Sequence, residues 1–328
     1  MSKLALILAF ICVLSAGVMA QDDDEPIRVE STLVRLNVGV VDQSGNPILT
    51  LNKNNFSVYE DGVKQQITGF QPSSAPFSVV MILDMSGSTV SFRQVMKQAA
   101  YRFVSALGPD DRVAVVEFYD KINLRNDFTT NGKTIFHSID AANGRGKTQF
   151  FKALNFALQK LSNEKDRRRA IIVLSDGIDT DAQDHDRSAL LKLDDAKVPQ
   201  ALDPENLDSM LRVLQRSDQL GVTIYPLALP TGNPAKLADP TPRQYEMYRA
   251  ARERMKFVAT RTGGTFRSID HLEDMGRLYA EVAADMRTLY TVEYQPSNDK
   301  RDGKWRAIQV TVNDVNLIAR SRTGYFAK

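Results

Sequence analysis

The sequence contains little cysteine, histidine or tryptophan, and its charges nearly balance. Its 328 residues include one cysteine, three histidines and one tryptophan, and the formal net charge is +2. A net charge this small creates no global field that would attract nucleic acid or an anionic membrane. The one cysteine, Cys12, lies in a segment that we expect to be removed. The mature chain would then have no thiol, which excludes disulfides, thiol catalysis and zinc–cysteine sites.

Long apolar runs are confined to the start of the chain. Lys3 supplies a positive charge, residues 4–14 are apolar, and Val18-Met19-Ala20 resembles a cleavage site. This order predicts a secretory signal peptide over residues 1–20, cleaved after Ala20, and a secreted or periplasmic protein. No later run is long enough to cross a bilayer, so we expect no transmembrane segment in the mature chain.

Two segments with a period of two residues flank the middle of the chain. Val34, Leu36, Val38 and Val40 alternate with polar or small residues, and a hairpin is predicted around Asp61-Gly62. The same period returns after residue 289, where Ile308, Val310 and Val312 share a face. Each segment is short for burying a core alone. We therefore expect residues 27–71 and 289–328 to pair into one β-sandwich.

Residues 76–288 alternate between apolar strands and amphipathic helices. This alternation predicts an α/β fold, a doubly wound, mostly parallel Rossmann-like sheet inserted in the β-sandwich. The expected strands are Val79–Leu83, Val113–Phe118, Ala170–Leu174, Thr223–Leu229 and Thr265–Ile269. The expected helices are Phe92–Leu107, Phe150–Leu161, Pro204–Leu220, Tyr245–Thr262 and Leu272–Leu289.

The acidic segment Asp179–Pro204 has poor periodicity, and we expect it to be a surface insertion. Its carboxylates suggest a calcium loop at Asp179, Asp181, Asp184 and Asp186. The glycine that such a loop needs for its sharp turn is missing, which favours a solvated acidic loop.

One carboxylate and two hydroxyls follow the buried strand Val79–Leu83. They belong to Asp84, Ser86 and Ser88, which alternate in a turn before a helix. Hard oxygen ligands of this kind suit a small divalent cation such as Mg²⁺. The alternative is that these residues only cap the helix that follows.

Two further oxygen-bearing residues are expected at the same edge of the sheet. Asp176 follows the strand 171–175, and Thr148 ends the glycine-rich stretch 144–148 before a helix. Open α/β sheets bind their ligands outside the carboxyl ends of their strands. The sequence therefore predicts a metal site formed by Asp84, Ser86, Ser88, Thr148 and Asp176.

This pattern resembles the von Willebrand factor type A domain with its metal-ion-dependent adhesion site. The resemblance covers roughly residues 78–288, through D-x-S-x-S, a later threonine and a later aspartate. It implies that Asp84, Ser86 and Ser88 form the first metal-binding loop, and that Thr148 and Asp176 approach the ion directly or through water. The ion would be Mg²⁺, with Mn²⁺ or Ca²⁺ as alternatives. The flanking segments look like secreted bacterial proteins related to this family and best known from acidobacterial genomes.

The resemblance implies a secreted, non-enzymatic protein-binding module, used for adhesion or as a scaffold. A partner protein would present an Asp or Glu to the metal. A metal-dependent hydrolase is the competing function, but His137, His185 and His271 are scattered and no general base stands out. The frame G-x-S-x-G of a serine hydrolase is broken at Met85 and Ser88. A purely structural component of an envelope assembly remains open.

Overall fold

A computed structural model describes residues 33–327 of the chain. The predicted signal peptide and its cleavage site lie outside the described residues. Within residues 33–327, no helix combines the length and apolarity that crossing a membrane requires. The fold class is the predicted one, a six-stranded mixed α/β sheet together with two antiparallel sheets.

The flanking segments contain eight strands in the described part of the chain. The N-terminal ones are β1 (Val34–Val41), β2 (Phe56–Glu60), β3 (Val63–Gln65) and β4 (Ile67–Gln71). The C-terminal ones are β11 (Leu289–Tyr294), β12 (Trp305–Val312), β13 (Ile318–Arg320) and β14 (Gly324–Phe326).

The middle of the chain contributes the remaining strands and the α-helices. Its strands are β5 (Phe77–Asp84), β6 (Arg112–Phe118), β7 (Ile122–Thr129), β8 (Arg168–Ser175), β9 (Thr223–Ala228) and β10 (Arg267–Ser268). Its α-helices are α1 (Arg93–Ala106), α2 (Gly132–Ala141), α3 (Phe150–Leu161), α4 (Thr180–Leu190), α5 (Asp208–Leu220), α6 (Pro242–Thr262) and α7 (Met275–Arg287). Short 3₁₀ turns lie at Lys53–Asn55, Gly87–Phe92, Asp195–Lys197, Pro230–Gly232, Pro234–Lys236 and Leu272–Asp274.

The flanking segments pair with each other to form two four-stranded sheets. One sheet has the order β13-β1-β11-β4 and the other β14-β12-β2-β3. Val34 lies opposite Tyr294, and Val58 lies opposite Val310. The alternating apolar residues of β1, β2, β11 and β12 face inwards and form one buried core. The period-2 pattern therefore predicted the inward face correctly, because strand side chains alternate between the two faces.

The central sheet has the order β10-β9-β8-β5-β6-β7, with only β7 antiparallel. Helices α1, α2 and α7 cover one face, and α3, α5 and α6 cover the other. All eight residues of β5 and all eight of β8 are buried, as continuous apolar runs predict for strands covered on both faces. The chain leaves β5 towards β6 on one side, whereas β8 and β9 follow on the other. The edge beyond β5 and β8 is thus the topological switch point.

Several elements differ from the sequence prediction. Strand β7 was not predicted, because it is a half-exposed edge strand without a continuous apolar run. Helix α2 was also not predicted. The predicted strand Thr265–Ile269 is reduced to the two residues of β10. The helix predicted over Leu272–Leu289 is a 3₁₀ turn followed by α7, and Leu289 already belongs to β11.

The prediction of a solvated acidic loop over Asp179–Pro204 was wrong. The segment begins with helix α4, whose first turn is capped by Asp179 Oδ1 accepting from the backbone N–H of Ala182 at 3.0 Å. Asp186 is buried and forms two bonds of 2.6 and 2.7 Å with the Arg254 guanidinium of α6. Apolar residues of the segment pack against α6 in a small separate core. Two of the four acidic residues, Asp179 and Asp186, therefore hold α4 in place.

The β-sandwich packs against the amino ends of the central strands. Arg168, at the start of β8, donates to the carbonyl of Ala75 at 2.7 Å and to the carbonyl of Leu289. One guanidinium thus binds both places where the chain crosses between the sandwich and the α/β part. An eight-residue strand is about 25 Å long. The carboxyl edge of the sheet consequently lies far from the sandwich and is free to form a site.

Candidate functional site

The first loop of the site is built around the buried carboxylate of Asp84. Its Oδ1 accepts from the backbone N–H of Ser86 at 2.9 Å, and its Oδ2 accepts from the Ser175 hydroxyl at 2.5 Å. The hydroxyl oxygens of Ser86 and Ser88 lie 3.2 Å apart. The turn therefore places the three predicted oxygen-bearing side chains next to one another at the end of β5.

The second loop joins the first through backbone contacts. Gly87 N–H donates to the carbonyl of Gly146 at 3.1 Å. Gly146 has φ of +109°, and a Cβ there would lie 2.2 Å from Asp120 Oδ2, so only glycine fits this position. Thr148 follows two residues later and is buried. Its backbone N–H donates to the Thr180 hydroxyl at 3.1 Å, which fixes Thr148 at the start of α3.

Asp176 forms the third part of the site, directly after β8. It is 1% exposed, and its Oδ1 accepts from the backbone N–H of Ile178 at 3.1 Å. Its Oδ2 is buried and has no hydrogen-bond partner among the described residues. Ser88, Thr148 and Asp176 line one open cleft of about 570 Å³. The structure therefore brings the five predicted residues to one edge of the sheet.

Two residues that support this arrangement were not predicted from the sequence. Arg93 donates to the carbonyls of Met85, at 2.8 Å, and Gly144, at 2.5 Å, and so links the first two loops. Ser175 donates to Asp84 and accepts from the backbone N–H of Gly177 at 3.0 Å. No sequence pattern predicts that Arg93 would link these loops. Ser175, however, lies beside Asp176 at the predicted edge, and its hydroxyl could have been included.

The two carboxylates of the site are close, buried and electrostatically coupled. Burial raises the pKa of Asp84 to about 7, and the charge of Asp176 adds to this effect. Burial likewise raises the pKa of Asp176, while the nearby hydroxyls of Ser88 and Thr231 lower it. Two buried carboxylates favour a proton or a cation between them, because neither charge is solvated by water.

These residues fit a hard divalent cation. A buried carboxylate oxygen without a donor is costly, and Asp176 Oδ2 is such an oxygen. The hydroxyls of Ser88 and Thr231 lie close enough to this carboxylate to lower its pKa, but neither is aligned for a hydrogen bond to Oδ2. In the part of the chain that the structure describes, no cluster of three or more His, Cys, Asp or Glu side chains is placed to hold a metal. The donor set is thus two carboxylates with neutral hydroxyls, as Mg²⁺ sites with retained waters often have.

Comparison with known proteins identifies a family for this part of the chain. Residues 79–178 match the family model of the von Willebrand factor type A domain. All five predicted site residues lie within the matched range. The uncharacterized protein sll0103 of Synechocystis sp. is 31% identical over 116 residues, which are 34% of this chain and 27% of that protein. The matched part thus spans about a quarter of the relative's length.

Solved structures of such domains are similar at low sequence identity. A von Willebrand factor type A protein from Catenulispora acidiphila is 12% identical, with 92% of this chain and 74% of that chain covered and a TM-score of 0.48. The corresponding domain of the type V pili tip protein Mfa5 from Porphyromonas gingivalis is 14% identical. That match covers 64% of this chain and 94% of the other, with a TM-score of 0.47.

Proposed function

Because this chain contains a von Willebrand factor type A domain, matched over residues 79–178, we propose that it is a metal-dependent protein-binding module. Domains of this type commonly mediate protein–protein interactions. The partner is a protein that presents an Asp or Glu side chain. A divalent cation, Mg²⁺ or Mn²⁺, would be held by Asp84, Ser86, Ser88, Thr148 and Asp176. When bound, it would supply the positive charge that the partner's carboxylate requires.

The unpartnered oxygen of Asp176 is the observation that carries this proposal. Asp176 is buried beside a second carboxylate, and burial opposes the ionised form of both. A cation would offset this cost and satisfy Oδ2 at the same time. Asp84 and Asp176 together would balance a divalent ion if both bound it directly, and the hydroxyls of Ser86 and Ser88 add no charge. With Asp176 bound through a water, only the Asp84 carboxylate would contact the ion, which would keep part of its positive charge. A carboxylate from another protein is the ligand that complements it.

The residues that line the cleft favour binding over hydrolysis. They include hydroxyls, an amide and two lysines, at Ser88, Thr148, Thr180, Thr231, Tyr248, Gln183, Lys147 and Lys236. No histidine of residues 33–327 lines this cleft, and His185 is exposed on α4. A metal-activated water would need a general base besides Asp176, which we assign to the metal, and the other lining residues include no carboxylate or imidazole. We therefore propose a non-enzymatic role.

Titration of the purified protein with Mn²⁺ or Mg²⁺ tests the metal site. We expect binding of one ion, and no binding to Asp84→Ala, because that change removes the carboxylate of the first loop. Asp184→Ala is the matched control, since Asp184 is an exposed carboxylate on α4 that should not affect the ion. Calorimetry measures both variants. Equal titration of Asp84→Ala and the parent would show that the site is wrongly assigned.

We also propose that the protein is exported and that its mature form begins at Gln21. The charged start, apolar core and cleavage sequence support this proposal. The intact mass of the protein from its native host tests it, and a mass that retains residues 1–20 would contradict it.

A further inference from the structure

A fourth loop reaches the site, after strand β9. Its residues Pro230–Gly232 form a 3₁₀ turn directly beside β8 and Asp176. The backbone N–H of Leu229 donates to the carbonyl of Ser175 at 2.9 Å. A Cβ at Gly232 would lie 2.0 Å from the carbonyl oxygen of Asp176, so the turn can approach this closely only with glycine. Thr231 is thereby held against Asp176.

The hydroxyl of Thr231 makes no hydrogen bond within the turn. Threonine in a turn commonly bonds a neighbouring backbone group. Here the Oγ1 atom is buried and has no hydrogen-bond partner in the described chain. The same residue lines the cleft together with Asp176, Ser88 and Thr148. Two buried oxygens without partners, Thr231 Oγ1 and Asp176 Oδ2, thus lie beside the same cleft.

We infer that Thr231 is a further binding residue of the site, whose hydroxyl holds the cation, or a water bound to the cation, together with Asp176 Oδ2. This inference rests on the proposed function. It accounts for a buried hydroxyl that lies near Asp176 without an aligned hydrogen bond to Oδ2, because both oxygens would instead face the cation or its water. It also assigns a role to Gly232, whose missing side chain lets Thr231 approach Asp176.

Mn²⁺ titration of Thr231 variants of the full chain tests the inference. Thr231→Val keeps the shape of the side chain and removes the hydroxyl, and Thr231→Ala removes it with less bulk. Thr231→Ser keeps the hydroxyl. Loss of this oxygen contact to the ion or its water should weaken Mn²⁺ binding roughly tenfold or more, where tenfold is about 1.4 kcal/mol. We expect this loss in the Val and Ala variants and affinity close to the parent in the Ser variant.

The outcomes separate this inference from the proposed function. If the parent binds Mn²⁺ and both Val and Ala variants bind within twofold of it, Thr231 has no part in the site, while the metal site stands. If the parent binds no Mn²⁺, the proposed function and this inference both fail. Thermal unfolding without metal is measured for each variant. A loss of affinity in a variant that melts like the parent supports a direct role.

Discussion

Asp84 joins the first loop to the end of β8 and is the most buried acidic group of the site. Ser86 and Ser175 donate hydrogen bonds to its carboxylate, yet burial still dominates and raises its pKa to about 7. The neighbouring Arg93 directs its guanidinium to backbone carbonyls of the first two loops. Without a cation, ionisation of Asp84 is therefore unfavourable in the folded protein.

We expect the metal-free protein to lose stability as the pH rises from about 4 to about 7. In the unfolded chain Asp84 ionises near the usual aspartate pKa of 3.8, whereas in the folded chain it holds its proton to about pH 7. The unfolded state binds fewer protons in this range, so folding becomes less favourable with increasing pH and then levels off. Asp176, whose pKa burial also raises, should lose its proton more readily in the unfolded chain as well and add to this loss.

Urea unfolding of the parent and of Asp84→Asn, with a chelator present, measures this effect. The amide cannot ionise, so the variant should gain stability relative to the parent between pH 4.5 and pH 8. Added Mg²⁺ should restore the parent at pH 8 and leave the variant unchanged. A constant difference between the two proteins across this pH range would show that Asp84 ionises normally.

Helix α4 shows how one element is fixed by a contact that its own sequence does not reveal. Its periodicity is weak, and its acidic residues favour solvent when considered alone. The structure buries Asp186, 2% exposed, against Arg254, 3% exposed, although 68 residues separate them. Period and composition are local signals, whereas this ion pair depends on how α6 packs.

We expect Asp186→Asn to destabilise the protein by about 3–5 kcal/mol. The change leaves the Arg254 guanidinium buried without its counter-charge, which is costly in a low-dielectric interior. Asp184→Asn is the control on the same helix, because Asp184 is 64% exposed and its pair with Arg187 should contribute less than about 1 kcal/mol. Chemical denaturation measures both. Similar losses of unfolding free energy in the two variants would mean that the burial of Asp186 does not increase its contribution to stability.

At the scale of the whole molecule, the sandwich and the site occupy opposite ends of the central sheet. Strand periodicity predicted the paired flanking segments, and the rule for carboxyl ends of strands predicted where the site residues meet. The same rule, applied to every strand, also points to Thr231 after β9. Arg168 could not be predicted, because its role depends on carbonyls at both crossings between the layers.

The central claim is that this edge captures an acidic side chain through a metal. Panning a random peptide library against the immobilised full chain in Mg²⁺, with elution by chelator, provides probes. Each selected peptide is resynthesised with Asp→Asn or Glu→Gln. We predict that binding requires Mg²⁺, is lost in Asp84→Ala, and is lost when one acidic residue becomes its amide. Peptides that bind equally well with chelator, or after every acidic residue is replaced, would contradict the account.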